Sequence, residues 1–247
     1  MTDLIAAEIL KLRTTRTVWA LLAATVGVTM LAVTGAVLAA DSGNATLDLE
    51  SDRGVRTVLH VSASGGIFVL VLGIIIAAGE YRQRTAVGTF LTTPRRSRVI
   101  AAKLVVGAGV GTVFGALAAL AAFGAANHNY RAKGYTFPVD SSDVWTILGG
   151  AVLYAALFGA IGAATGSLVR NQVGAIVGWL AWLAVAENIL FQISPSIGRW
   201  LPVAAGRALV RDPDGDLLSQ PVAAVVLAAY AAAIMAVAMI SERRRDA

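Results

Sequence analysis

The chain has 247 residues, with 20 Lys and Arg against 15 Asp and Glu, and it contains no cysteine. Hydrophobic residues make up 57% of the sequence and charged residues only 14%, which is far more apolar than a soluble domain of this length needs to be. The composition therefore predicts a membrane protein. The absence of cysteine excludes disulfides, thiolate metal sites and cysteine nucleophiles.

The first predicted element is an amphipathic helix over residues 1–16. Glu8 and Lys11 are expected on its polar side. The opposite, apolar side consists of Ile5, Ile9 and Leu12. Such a helix is typical of one that lies in the membrane interface, and the alternative is an irregular basic tail.

Six uncharged runs follow, each close to the length of about 20 residues that crosses ~30 Å of hydrocarbon. They cover 17–40, 58–79, 104–126, 144–169, 173–190 and 221–240. A large soluble core is the alternative, but so many apolar runs would leave almost no polar surface around it. We expect an all-α integral membrane protein with six transmembrane helices. The first run is expected to be retained, since it is longer than the apolar region of a typical signal peptide.

Two connections between these runs are informative. The inner connection at 170–172, "RNQ", is so short that it predicts a tight helical hairpin. The outer segment 191–220 is long and contains apolar pieces that are too short to span the membrane. It is interrupted by Pro195, Pro202 and Pro213. These features predict re-entrant or interfacial half-helices on the outer side.

The basic residues indicate the orientation. If both termini lie on the same side, thirteen of the twenty Lys and Arg residues fall on that side and seven on the other. The positive-inside rule then predicts that both termini face the cytoplasm. Because the positive charge follows the topology, we expect contact with anionic lipids and not with nucleic acid.

Motifs for catalysis or nucleotide binding are not found in the sequence. It has no G-x-x-x-x-G-K-[ST] loop, no H-E-x-x-H helix and no G-x-S-x-G elbow. Its two histidines, His60 and His128, are predicted near the outer membrane surface. We therefore expect no enzymatic activity, no metal site and no cofactor bound by this chain.

One acidic residue, Glu187, lies at the end of a predicted span and is followed by Asn188. A carboxylate at membrane depth is costly and indicates a function. Two interpretations stay open for this pair: a role in a transport pathway, or a structural anchor for 191–220.

Glycines recur at every fourth residue in three places, a spacing that permits close approach of helices. This spacing occurs at Gly107, Gly111 and Gly115, at Gly162 and Gly166, and at Gly174 and Gly178. Packing within the chain and contact with another subunit are both compatible with it.

The segment 79–103, "GEYRQRTAVGTFLTTPRRSRVIAAK", carries six of the twenty Lys and Arg residues between two apolar runs. Phe90 and Leu91 give it an apolar face, and Pro94 predicts a turn. A short helix parallel to the membrane on the cytoplasmic side would have this pattern.

This segment resembles the cytoplasmic coupling segment of ABC-2 type transporter permeases. The matching residues are Gly79, Glu80, Tyr81, Arg82, Gly88, Thr89, Leu91, Pro94, Arg95, Arg96 and Lys103. The similarity extends to the whole chain, through the amino-terminal helix, the six spans, the short second inner loop and the outer stretch "AENILFQISPSIGRWLPVAAGRAL" at 186–209.

The resemblance implies the transmembrane subunit of an ATP-driven exporter, with a coupling segment at 80–98, in a bacterial cell membrane. Two such chains, identical or paralogous, would form the pathway. Two copies of a separate ATPase subunit would bind ATP and Mg²⁺ below it. The residues implied in contact with the ATPase are Glu80, Tyr81, Arg82, Arg84, Thr89, Phe90, Pro94, Arg95, Arg96, Arg170 and Asn171.

Two other functions stay open. One is a non-transporting membrane subunit, a sensor or immunity protein, that associates with an ATPase. The other is a secondary carrier, which would need paired ionisable residues near the bilayer midplane and inverted repeats.

Overall fold

The computed structural model of the protein describes residues 2–41, 49, 51–82 and 96–245. Within these ranges the chain is helical and contains no strand. Six helices of the described chain are long and apolar enough to cross a membrane. For the described residues, the prediction of an all-helical chain with six helices able to span a membrane is therefore confirmed.

The amino-terminal half contains five helices among its described residues. They are α1 Thr2–Thr14, α2 Arg16–Asp41, α3 Asp52–Leu59, α4 Gly66–Arg82 and α5 Arg96–Ala132. Only Thr15 separates α1 from α2, and its hydroxyl donates to the carbonyl of Lys11 (2.7 Å). A 3₁₀ turn at His60–Ala63 interrupts the second predicted span between α3 and α4.

The carboxy-terminal half has one long central helix followed by shorter ones. Its elements are α6 Ser142–Val169, α7 Gln172–Ala181, a π-helical turn Trp182–Ala186, α8 Glu187–Ile193, α9 Pro195–Gly198, α10 Pro202–Leu209 and α11 Gln220–Arg245. The outer segment predicted at 191–220 thus contains short helices. Their position relative to the membrane stays a prediction.

Helix α6 is the centre of the fold, and two-thirds of its apolar stretch is buried. It packs against α4, α5 and α11. The contacts with α4 and α5 are close because glycines lie at the crossing points. A Cβ added to Gly107 of α5 would lie only 2.6 Å from the carbonyl oxygen of Gly159, and one added to Gly162 would collide with the carbonyl of Leu70 in α4.

Most of the glycine spacing noted in the sequence is therefore used within the chain. Gly107, Gly111 and Gly115 of α5 all face α6, and Gly162 and Gly166 of α6 face α4. Gly178 differs, since a Cβ there would meet no described atom within 4 Å.

The contacts also give the helix directions. Gly162 lies against Leu70 and Gly166 against Ile74, so α4 and α6 run in the same direction. Gly107 faces Gly159 whereas Gly115 faces Val152, so α5 runs in the opposite direction.

These directions define two ends of the helix array. We call one of them the α1 end. It contains α1, the end of α4, the start of α5 and the α6–α7 turn. The start of α6 and helix α10 share the other, which we call the α10 end.

Candidate functional site

The two described ends of the predicted coupling segment, 80–82 and 96–98, lie at the α1 end. Helix α4 continues through Glu80 to Arg82, and α5 begins at Arg96, so these two helices flank residues 83–95. The remaining residues predicted to contact an ATPase in this segment lie outside the described residues: Arg84, Thr89, Phe90, Pro94 and Arg95.

The turn predicted at 170–172 is present and consists of Arg170 and Asn171. Arg170 adopts a left-handed conformation (φ 55°) and its backbone N–H donates to the carbonyl of Gly166 (3.2 Å), which closes α6. Asn171 caps the next helix, because its Oδ1 accepts from the backbone N–H of Gly174 (3.1 Å). Both residues therefore fix the reversal of the chain at the α1 end.

Helix α1 is held by a buried ion pair. Lys103 Nζ lies 2.9 Å from Glu8 Oε1, and the two side chains are 5% and 8% exposed. The same amine donates to the carbonyl of Ile76 (3.4 Å), so that Lys103 of α5 contacts both α1 and α4. Glu8 also pairs with Lys11 (3.2 Å).

This arrangement corrects the expected orientation of Glu8. The helical periodicity of 1–16 predicted that Glu8 points away from the apolar face, but the residue is buried. Lys11 is exposed, as predicted. Ile5 and Leu12 pack against the apolar cluster that contains Leu72, Val106 and Phe114. A carboxylate beside this apolar face is accommodated because Lys103 neutralises it.

At the α10 end, Glu187 caps a helix from a distant part of the chain. Its Oε1 accepts hydrogen bonds from the backbone N–H groups of Val203 (2.6 Å) and Ala204 (2.8 Å), the second and third residues of α10. The residue before α10 is Leu201, which offers no side-chain acceptor. Glu187 therefore replaces the usual N-cap, where a negative charge also interacts favourably with the helix dipole.

The backbone around Glu187 explains how the carboxylate reaches α10. The chain widens into a π-helical turn just before Glu187, whose own N–H donates to the carbonyl of Trp182. Trp182 Nε1 in turn donates to Glu187 Oε2 (3.2 Å). Asn188 donates to the carbonyls of Leu183 (3.3 Å) and Ala184 (3.1 Å). These contacts correspond to the structural anchor, one of the two interpretations of Glu187 and Asn188.

A second set of polar contacts joins the outer segment to α6. Asp143, in the first turn of α6, accepts from Arg56 Nε of α3 (2.7 Å) and pairs with Arg211, which follows α10. Gln220 Nε2 donates to the carbonyl of Leu209 (2.6 Å). The outer segment 191–220 is thus attached to the other helices by side chains to which the sequence analysis assigned no role.

The polar groups of both ends support helices and connect them. In the described part of the chain, no three His, Cys, Asp or Glu side chains are grouped as a metal site would require. The fold and these sites define a multi-pass helical membrane protein. Comparison with protein-family models and with curated proteins finds no match for the chain.

Proposed function

We propose that this chain is the transmembrane permease subunit of an ATP-driven exporter, and that a separate ATPase acts on its segment 80–98. The proposal rests on the resemblance of 79–103 to the coupling segment of ABC-2 type permeases. The arrangement of the α1 end supports it.

The observation that carries the proposal is the position of Lys103. It lies about two helical turns after Arg96, the first described residue after 83–95. Its amine contacts Glu8 of α1 and Ile76 of α4. A displacement of residues 83–95 that moved the start of α5 would therefore act on α1, α4 and α5 together.

The same end would present further contacts to an ATPase. The turn at Arg170 and Asn171 lies beside the end of α4, because α4 and α6 run in parallel. Arginine presents a planar fork of donors that fits a carboxylate more specifically than lysine does. The basic residues of 82–98 would in this way recognise acidic groups of the ATPase, while ATP and Mg²⁺ stay in that partner.

The membrane assignment completes the proposal. The α1 end faces the cytoplasm of a bacterial cell, because the positive-inside rule places the basic segment there. Two copies of the chain, or one copy and a paralogue, enclose the pathway.

The test compares the parent with Glu80→Gln, Arg82→Lys and Pro94→Ala in reconstituted membranes. We expect normal insertion but weaker retention of the ATPase that copurifies with the parent, or hydrolysis that no longer depends on substrate. The matched control is Arg131→Lys, at the α10 end.

Three results would contradict the proposal. If the three variants equal the parent in both assays, the basic charge serves topology alone. If an ATPase binds but ATP drives no transport into vesicles, the chain is a sensor or immunity subunit. Transport that proceeds without any ATPase would indicate a secondary carrier.

A further inference from the structure

An apolar groove opens between α1, the start of α2 and α5. Its volume is about 640 Å³, within the range of ~300–1,000 Å³ that is usual for ligand pockets. Three helices contribute to it, with side chains that include Ile5, Leu12, Leu22, Val110, Phe114 and Leu117.

The groove is open to the surroundings of the helix array. Of its lining residues, Trp19 is 62% exposed, Val113 56% and Ile9 41%. Helix α1 has 13 residues, about 20 Å, and is too short to span the membrane, whereas α2 and α5 are long enough. In a membrane spanned by α2 and α5, the groove would therefore belong to the leaflet on the α1 side.

Positive charge lies in the lining of this groove and next to it in the chain. Arg13 lines the groove and Arg16 begins α2. Both are exposed, and neither forms an ion pair with a carboxylate of the described residues. This differs from the α10 end, where Arg56, Arg207 and Arg211 are paired with aspartates.

We propose that the groove binds one anionic phospholipid, with its acyl chain along the apolar lining and its phosphate held by Arg13 and Arg16. Charge complementarity favours this occupant, because guanidinium groups bind phosphate through paired hydrogen bonds, and apart from Arg13 the lining offers apolar contacts to an acyl chain. A second copy of the protein would instead have to bring its own carboxylates to the two arginines. The inference goes beyond the proposed function and holds whether or not the chain transports anything.

The structure supplies a matched pair of variants for the test. A Cβ on Gly109, which lines the groove, would meet no described atom within 4 Å, and the same is true of Gly124 on the same helix outside the groove. Gly109→Leu therefore fills the groove, and Gly124→Leu adds the same side chain elsewhere. Arg13→Gln with Arg16→Gln removes the charge, and Arg131→Gln is its control.

The experiment uses the full chain in nanodiscs of phosphatidylcholine, to which phosphatidylglycerol with identical acyl chains is added. Native mass spectrometry counts the lipids that stay bound, and thermal unfolding in phosphatidylcholine alone shows whether each variant folds. We expect retention of one phosphatidylglycerol by the parent and by both controls. Its apparent affinity should fall roughly tenfold or more in Gly109→Leu and in the double arginine variant.

Three results would overturn the inference. Equal retention of the two lipids by the parent would show that the arginines do not select the headgroup. Undiminished retention by a folded Gly109→Leu would show that the acyl chain lies elsewhere. A loss of dimer mass in Gly109→Leu, without a change in bound lipid, would assign the groove to a second copy of the chain.

Discussion

The buried pair of Glu8 and Lys103 offers the sharpest test of how α1 is attached. Replacing Glu8 by Gln keeps a side chain of the same size but leaves the ammonium of Lys103 without this carboxylate in a site where the lysine side chain is 5% exposed. We expect α1 to detach more often from α5, while the remaining helices keep their packing.

The magnitude follows from the separation and the burial. At 2.9 Å and an effective dielectric constant of ~20, the attraction between the two charges is about 6 kcal/mol before desolvation is subtracted. Removing one partner of a buried pair costs about 3–5 kcal/mol. At about 1.4 kcal/mol for each factor of ten, Glu8→Gln should raise the open population of α1 by a factor of roughly 10² to 4 × 10³.

Hydrogen exchange of the α1 amides in nanodiscs measures this opening. The control is Lys11→Met, which removes an exposed pair of the same carboxylate (lysine side chain 51% exposed) and should cost only ~0.2–1 kcal/mol. The double variant Glu8→Gln with Lys103→Met should lose less than the sum of the single variants, because it removes both charges of the buried pair. Additive losses, or an effect of Glu8→Gln as small as that of Lys11→Met, would refute the reasoning.

Three further predictions concern the cap, the helix crossing and the topology. Glu187→Gln keeps one oxygen that accepts from the two N–H groups of α10, but it loses the negative charge and the acceptor for Trp182 Nε1, so it should be less destabilised than Glu187→Ala. Glu187→Ala leaves both N–H groups without this acceptor and should lose about 2–4 kcal/mol in a denaturation titration; equal losses in the two variants would contradict the capping role. Gly159→Ala places a methyl group against the backbone of α5 and should reduce the yield of folded protein, while Gly124→Ala, at an open position of α5, should not; similar yields would contradict the close crossing. A cysteine at Asp140 should react with an impermeant thiol reagent in intact cells and one at Ser241 should not; the reverse pattern would contradict the proposed orientation.

The six spans could be predicted because their signal is local. A hydrocarbon layer of ~30 Å requires uninterrupted apolar runs, and these are visible in the sequence. Hydropathy, however, indicates which residues lie in the hydrocarbon layer and does not indicate where the helix ends. Helix α5 has 37 residues, about 55 Å, and continues past the predicted limit of 126 to Ala132. Its polar extension is held by Tyr130, which is fully buried and donates to the carbonyl of Leu49 (2.9 Å).

The burial of Glu8 could not be read from the periodicity of α1. Its partner, Lys103, lies 95 residues away, and the amphipathic pattern alone assigns any charged residue to the solvent side. The sequence did contain one signal for this contact. Lys103 lies just before an apolar run, and a lysine that is buried there needs a carboxylate as partner.

The role of Glu187 was left open between two interpretations because its contact with α10 depends on the tertiary fold. A local signal did exist at Leu201 and Pro202. A helix that begins with Pro after a residue without a side-chain acceptor needs an acceptor from elsewhere. The coupling role of 80–98 stays a prediction, since residues 83–95 lie outside the described residues.

The central claim is that an ATPase acts on the coupling segment, and site-specific crosslinking tests it most directly. A photoreactive amino acid is placed at Thr89 of the full chain, and a control at Lys133, beyond the opposite end of α5, in membranes of the source cell. The account predicts an adduct at Thr89, absent at Lys133, with a protein that contains a P-loop and whose ATP hydrolysis changes when it is reconstituted with this chain. Adducts with lipid alone at Thr89, or the same ATPase adduct at both positions, would contradict it.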